Sequence, residues 1–291
     1  MPRVVVARPV GFCSGVERAI RVARQGRERF GRVWTLGELV HNPLVLKELA
    51  QEGIVPVNQV RAAVGGALVI RAHGCPPGVF EECRRFGVPV IDATCPYVRN
   101  VQRVARRLKD QGYGVVVVGE RNHPEVRSIL AHAGTGARCL SPDSVAGRIR
   151  LVRRRIGVVA QTTMAPDEFK EVVAKLAQVQ YTELRVFDTI CSEVKARQER
   201  AAQIAEKADV VIVVGGRSSA NTCRLVEVVR RRGRRVMLVE EPDELRRTVN
   251  ELRGVKVIGV IGGSSTPSWV VKGVAKIVCN SGGADEMRHR F

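Results

Sequence analysis

Three of the eight cysteines in this chain stand in the same kind of place. Cys13, Cys95 and Cys191 each follow an apolar, β-branched run and each open a stretch with helical spacing, so each lies where a strand hands over to a helix. Around Cys95 the pattern is plainest. Val88 to Asp92 reads as a buried strand, Thr94-Cys95-Pro96 closes it, and apolar residues at 98, 101, 104, 105 and 108 mark an amphipathic helix. Pro96 suits the first helical position, where its missing N–H costs nothing, and the helix dipole favours a thiolate at the residue before it. That is a ligand's position more than a core residue's. Short Cys-x-x-Cys pairs are absent, which disfavours a zinc ribbon, although three thiolates with a histidine would suit structural zinc. Three thiolates alone would suit an iron–sulfur cluster with one iron left open to a substrate oxygen.

The elements that must position these residues alternate apolar strand runs with helical patterns, which argues for an α/β fold with parallel sheets of βαβ units. After each cysteine unit, two further strand runs end in polar loops. In the first third these loops are Gly37-Glu38-Leu39-Val40-His41-Asn42-Pro43 and Arg71-Ala72-His73-Gly74. The second third has His123-Pro124-Glu125 and Gln161-Thr162-Thr163, and the last third has Ser219-Ala220-Asn221-Thr222 and Gly263-Ser264-Ser265-Thr266-Pro267. Ligands of open parallel sheets bind outside the carboxyl ends of the strands. Three pseudo-symmetric lobes with inward-facing strand ends would therefore converge on one pocket. The expected lobes are 14–95, 96–191 and 192–291, with the strand in 1–13 joining the third. No Gly-x-Gly-x-x-Gly or P-loop sequence follows a strand, so nucleotide binding is not supported.

A chain of 291 residues can bury a substantial core, and its 45% hydrophobic content excludes disorder. No apolar run approaches the ~18 to 20 residues that span a bilayer, and the opening residues lack the features of a secretory signal. The expectation is a soluble, cytoplasmic protein with reduced thiols. A net charge of +19 comes mostly from arginines on helix faces, read as solvated surface or as a field attracting an anionic substrate or acidic protein. Aromatic residues are only 4% of the chain, too few for a stacking platform, so nucleic acid is not expected as a partner.

Gly11-Phe12-Cys13-Ser14-Gly15-Val16, Asp92-Ala93-Thr94-Cys95-Pro96 and the six loops above occur in an order that resembles the 4-hydroxy-3-methylbut-2-enyl diphosphate reductases, the IspH/LytB family. The resemblance runs from about residue 3 to about 280. It implies three α/β lobes around a central four-iron, four-sulfur cluster, held by Cys13, Cys95 and Cys191 with one iron open to substrate. The implied reaction is a two-electron reductive dehydroxylation of the allylic alcohol diphosphate to isopentenyl and dimethylallyl diphosphates, closing the non-mevalonate isoprenoid pathway. By motif match, His41, His73, His123, Thr162, Thr163, Ser219, Asn221 and Ser265 would bind substrate. Glu125 would supply a proton, with Thr162 ordering it and His123 beside it. An acidic ferredoxin or flavodoxin is the implied electron donor, and no membrane partner is expected. Cys75, Cys83, Cys139, Cys223 and Cys279 match no ligand position and read as packing or incidental thiols. Ala220 stands where many relatives offer serine or glycine, so a phosphate contact there would come from backbone or be lost. A binding protein joined by structural zinc is the other class, and colour and iron content separate the two.

Overall fold

Five consecutive buried residues, Val210 to Val214, show why the inner strands form: every side chain leaves water, whichever face it points to. Both faces of such a strand must be covered, which is the condition for parallel sheets flanked by helices. The computed structural model describes residues 2–141 and 153–281, and Ser281 by its backbone alone. Among the described residues, three four-stranded sheets form, and every strand pair is parallel.

In chain order the first sheet uses β2 (Val33–Leu36), β3 (Ile54–Val57), β4 (Ala67–Ile70) and β5 (Val90–Asp92). The second uses β6 (Gly114–Val118), β7 (Arg138–Leu140), β8 (Arg155–Ala160) and β9 (Glu183–Phe187). The third uses β10 (Val210–Val214), β11 (Arg235–Val239), β12 (Val257–Gly262) and, from the other end of the chain, β1 (Arg3–Val6). The spatial orders are β3-β2-β4-β5, β7-β6-β8-β9 and β11-β10-β12-β1. All three are one pattern: second, first, third, fourth, with β1 acting as the fourth strand of the last sheet. In each sheet the chain reverses direction of travel between the first and third strands, and that switch point is where a ligand crevice opens.

The cysteines continue the fourth strands. Cys13 follows β1 and begins α1 (Ser14–Phe30), Cys95 follows β5 and begins α4 (Pro96–Asp110), and Cys191 follows β9 and begins α7 (Ser192–Lys207). The first strands lead into α2 (Pro43–Gln51), α5 (Pro124–Ala133) and α8 (Ala220–Arg231). Helices α3 (Gly78–Arg85), α6 (Pro166–Leu176) and α9 (Pro242–Thr248) lie in further crossovers, and α10 (Ser268–Ser281) follows β12. None of the described helices is long and apolar enough to cross a membrane.

Strand residues of alternate parity enter different cores. Val210, Ile212 and Val214 pack with Val270, Val271 and Val274, while Val211 and Val213 pack with Ala201, Ile204 and Leu225. Likewise Val116 and Val118 join Met164 and Phe169, and Val115 and Val117 join Val101, Ala105 and Ile129. The chain divides into two compact units: Met1–Glu17, Val40–Leu49 and Ser192–Phe291 with the third sheet, and Arg18–Leu39 and Ala50–Cys191 with the first two.

The apolar runs expected to be strands are strands, and three more exist. β3, β7 and β11 are the second strands of their sheets, all at an edge. They carry Pro56, Arg138 and Arg235, and each has partly exposed residues; β3 and β7 lack the continuous apolar run of an inner strand, while β11 has one, Val236 to Val239, that sequence reasoning passed over.

Close helix–strand approach depends on glycine in the third strands. A Cβ on Gly259 of β12 would come within 2.8 Å of Ile204 Cγ1 in α7, and one on Gly157 of β8 within 2.7 Å of Leu108 in α4. Gly259→Val should therefore lower stability by about 1–3 kcal/mol through overpacking. Gly136→Ala, where nothing lies within 4 Å, should leave the thermal midpoint nearly unchanged. Thermal denaturation of both variants checks the difference.

Candidate functional site

Each cysteine N–H is tied to the loop after the third strand of its sheet. Cys13 N–H donates to Ser264 O at 2.9 Å, Cys95 N–H to Ala72 O at 3.0 Å and Cys191 N–H to Thr162 O at 3.0 Å. The accepting residue is in every case the second after the strand's last residue: Gly262, Ile70 and Ala160 respectively. His73, Thr163 and Ser265 follow the accepting residues, so these expected substrate ligands occupy one equivalent position.

The first-strand loops show a second equivalence. Asn42, His123 and Ser219 cap α2, α5 and α8 from the same position. Asn42 Oδ1 accepts from the Leu44 and Val45 N–H groups at 3.1 and 3.2 Å, His123 Nδ1 from Glu125 N–H at 3.2 Å, and Ser219 Oγ from Thr222 N–H at 3.4 Å. Two residues past each cap stand Leu44, Glu125 and Asn221. One backbone slot thus presents an apolar, an acidic and an amide side chain.

In the unit holding the third sheet, Cys13 lies half-buried at the start of α1, its carbonyl accepting from Glu17 N–H at 3.0 Å. Burial pushes its thiol pKa up, and the Val16 N–H, which donates to Sγ at 3.4 Å, pulls the other way. Glu193, in the first turn of α7, accepts from the backbone N–H of Ser14 at 3.2 Å and from its hydroxyl. Arg197, 1% exposed, donates to Pro9 O and Gly262 O at 3.1 Å each and to Gly11 O at 2.8 Å, lacing the Cys13 loop to the end of β12. Sequence reasoning missed it. The signal was an arginine on the inward stripe 194, 197, 198, 201, 204 of α7.

The same unit gathers a polar nest. Ser265 Oγ donates to His41 O at 3.2 Å and lies 3.5 Å from Ser219 Oγ. Gly216 lets the His41 carbonyl approach, since a Cβ there would meet it at 2.5 Å. Asn221 is 2% exposed, and among the described residues neither Oδ1 nor Nδ2 has a hydrogen-bond partner. A buried unsatisfied amide costs about 1–3 kcal/mol, and a ligand that accepts and donates there would recover it. Hydroxyls, an amide and the N-terminus of α8 are groups of a kind that suits phosphate oxygens. Ala220, 8% exposed at the first position of α8, contributes no side-chain polar group.

In the other unit Glu125 is 1% exposed. Its Oε1 accepts from Thr162 N–H at 2.6 Å and its Oε2 from the Thr162 hydroxyl at 2.8 Å. Burial raises its pKa to about 7 in spite of those two donors, with Glu120 adding to the rise. His123 uses Nδ1 to cap α5, which leaves Nε2 as its donor, and its ring meets His73 edge-on at 5.3 Å. Thr163 Oγ1 accepts from Gln161 Nε2 at 2.8 Å, while Gln161 Oε1 accepts from Glu120 N–H at 2.9 Å. Gln161 therefore clamps the two switch-point loops of the second sheet.

The His73 loop is latched by residues that sequence reasoning did not single out. Gln102 Nε2 donates to Ser128 Oγ at 2.8 Å, and that hydroxyl donates to Cys75 O at 2.9 Å. Gly74 has φ of +71°, and a Cβ there would meet Gln102 Nε2 at 2.3 Å. Cys75 itself is 4% exposed with its thiol pushed up to about 12, mainly by burial, so it behaves as a packing residue. Cys83, Cys139 and Cys279 are also buried, and Cys223 Sγ donates to Arg217 O at 3.1 Å. All eight cysteines are thiols, and three of them begin helices at equivalent positions, a donor set suited to thiolate ligation of a metal cluster.

The sequence model of the LytB protein family matches residues 4–278. The chain belongs to the LytB family. A relative from Aquifex aeolicus named 4-hydroxy-3-methylbut-2-enyl diphosphate reductase is 37% identical, covering 94% of this chain and 95% of its own length. One of the same name from Geobacter sulfurreducens is 37% identical, covering 92% and 94%. Among solved structures, the (E)-4-hydroxy-3-methyl-but-2-enyl diphosphate reductase described as the terminal enzyme of the non-mevalonate pathway matches with TM-score 0.66 and 35% identity, over 95% of this chain and 98% of that one. The Plasmodium falciparum E-1-hydroxy-2-methyl-but-2-enyl-4-diphosphate reductase matches with TM-score 0.88 and 26% identity, over 95% and 87%.

Asn221→Ala should leave the ligand-free protein as stable as the parent or more so, because it removes a buried group without partners. Affinity for a diphosphate should fall about tenfold to a hundredfold, the worth of hydrogen bonds to a charged ligand. Thermal midpoints and calorimetric titration with inorganic pyrophosphate check both halves.

Proposed function

We propose that this LytB-family chain reduces 4-hydroxy-3-methylbut-2-enyl diphosphate to isopentenyl and dimethylallyl diphosphates, with Cys13, Cys95 and Cys191 as ligands of a four-iron, four-sulfur cluster. The observation that carries the reading is the threefold equivalence of the cysteines, each at a helix start and each held by a carbonyl two residues past a third strand. The three-lobe division at 13/14, 95/96 and 191/192 belongs to the same reading, and sheet membership supports it. The reaction consumes two electrons and two protons, replaces the allylic C–O bond by C–H, and releases water. When bound, the cluster supplies the electrons and a Lewis-acidic iron that no protein thiolate occupies.

The chain's own residues divide the remaining work. Asn221, Ser219 and Ser265 would grip diphosphate oxygens beside the N-terminus of α8, with His41, His73, His123 and Thr163 as further donors. Glu125 would hold the proton that leaves with the hydroxyl. A carboxyl with pKa about 7 is mostly protonated near pH 6 and mostly ionised near pH 8, so it can give up its proton and regain it around neutrality. The Thr162 N–H and hydroxyl fix its orientation and limit the rise of its pKa. An acidic ferredoxin or flavodoxin would bring the electrons.

Anaerobically purified protein should be brown, with iron and acid-labile sulfide. Cys13→Ser, Cys95→Ser and Cys191→Ser should each lose most of both, while Cys83→Ser and Cys279→Ser keep them. Stoichiometric zinc in colourless protein would sink the reading.

Glu125→Gln keeps the shape but has no transferable acid proton. Cluster content and substrate affinity should survive, and single-turnover rate should drop ~10²-fold or more. The parent's rate should decline above about pH 7 as the raised carboxyl ionises, and that limb should vanish in Glu125→Gln. Thr162→Val removes a donor that favours the carboxylate, so there the limb should move to higher pH. A limb unchanged in Glu125→Gln would assign the proton to another group.

A further inference from the structure

One face of α4 carries Arg99, Arg103 and Arg106 at helical spacings of four and three, all exposed. With His132 of α5 and Phe80 of α3 they line an open groove of about 340 Å³ whose floor reaches Asp92 and Thr94, immediately before Cys95. Asp92 accepts from Arg99 at 2.9 Å. Arg103 and Arg106 have no acidic partner among the described residues. Burial lowers the pKa of the His132 ring and the nearby Arg106 acts in the same direction, against the hydrogen bond to Ser128 O, which raises it. The groove therefore keeps an uncompensated charge of two arginines. Like charges held side by side cost energy that a structural role would relieve with a partner of opposite sign.

We propose that this arginine face is the docking site of the small acidic protein that delivers electrons one at a time. The inference rests on the reading that Cys95 holds the cluster. Arg99 lies about 6 Å along the helix axis from Cys95 and Arg106 about 16 Å, from a rise of 1.5 Å per residue. A carrier seated on the arginines would thus have its near edge one helical turn from a cluster ligand. Two encounters complete one turnover: two reduced carriers are oxidised, and the two electrons leave in the new C–H bond of the product.

The surface suits this occupant better than others. The arginines spread over about 10 Å of helix, and none is buried as a side chain of a built phosphate site would be. Among the described residues of the groove, Phe80 is the one phenylalanine, tyrosine or tryptophan, so a nucleic acid would find no series of rings on which to stack its bases. Electron carriers form small, short-lived interfaces, and steering by opposite charge raises their encounter rate without tight binding.

The test uses the cluster-loaded protein and two reductants, an acidic ferredoxin kept reduced by its reductase and reduced methyl viologen, a small cation. Arg103→Glu with Arg106→Glu should lower ferredoxin-driven kcat/KM about tenfold or more at low salt, while viologen-driven turnover stays within about twofold. Arg230→Glu with Arg253→Glu makes the same change in net charge on other exposed elements and should cost far less. Equal losses in the two doubles would overturn the proposal, as would equal losses with both reductants at normal iron content. Should the reversal impair cluster loading, Arg103→Gln with Arg106→Gln supplies the second measurement. Its ferredoxin-driven rate should fall less steeply with ionic strength than the parent's, and an unchanged slope would overturn the proposal too. An oligoribonucleotide that binds the parent but not the glutamate double, with ferredoxin kinetics equal in both, would reassign the face to nucleic acid. Failure of viologen-driven reduction in the parent would instead remove the reductase reading itself.

Discussion

The hydrogen bond from each cysteine N–H to a carbonyl beyond the neighbouring strand is the constraint on which the rest depends. Its net worth is only about 1 kcal/mol. Its geometric consequence is larger, because it fixes where the chain after the fourth strand turns into its helix: at Cys95 and Cys191 it continues the parallel ladder in step, while from Ala7 to Cys13 the chain carries two residues more than the facing stretch from Val260 to Ser264. Register enforces the same point from within the sheets, with Ile70 opposite Asp92, Val159 opposite Phe187 and Val6 opposite Val260. A slip of one residue would turn every side chain to the other face and carry the cysteine with it. In β1, Val4 packs in one core and Val5 in the other, which opposes such a slip and helps to position Cys13.

Electrostatics then distinguishes slots that the backbone makes alike. Position two of α5 and of α8 has the same capping frame, yet one holds Glu125 and the other Asn221. Glu125 is surrounded by donors that satisfy both its oxygens, and burial, with Glu120 adding to it, still raises its pKa to about 7. Asn221 has its polar atoms unsatisfied among the described residues, which prepares it for a charged ligand more than for the protein. Arg197 sets a third condition, a buried cation neutral to the packing only because three carbonyls surround it.

Much of this was legible in the sequence. Buried parallel strands are continuous apolar runs, so β4, β6, β8, β10 and β12 announce themselves, and the polar loops that follow carry the site residues. Edge strands β3 and β7 did not, being short and broken by proline or opened by arginine, and the apolar run of β11, Val236 to Val239, was passed over. The strand order is a matter of partners distant in sequence, and no local pattern records it. Gln102 and Arg197 were hidden differently, as polar residues on otherwise apolar helix stripes whose partners are backbone or side-chain groups tens of residues away. The raised pKa of Glu125 depends on the packing around it, and residue type alone does not give it.

The place of β1 in the third sheet has a consequence for how the protein is made. Its ladder partner β12 begins at Val257, about 250 residues later. At about 5–20 residues per second a ribosome needs on the order of tens of seconds to supply it. Through that interval Cys13 is attached to a strand without a neighbour, and its anchor, Ser264, does not yet exist. Cys95 and Cys191 meet their anchors within stretches of chain already synthesised, because Ala72 and Thr162 precede them. The first cysteine to leave the ribosome is therefore the last to reach its place, and biogenesis has to keep that thiol reduced until the chain is complete.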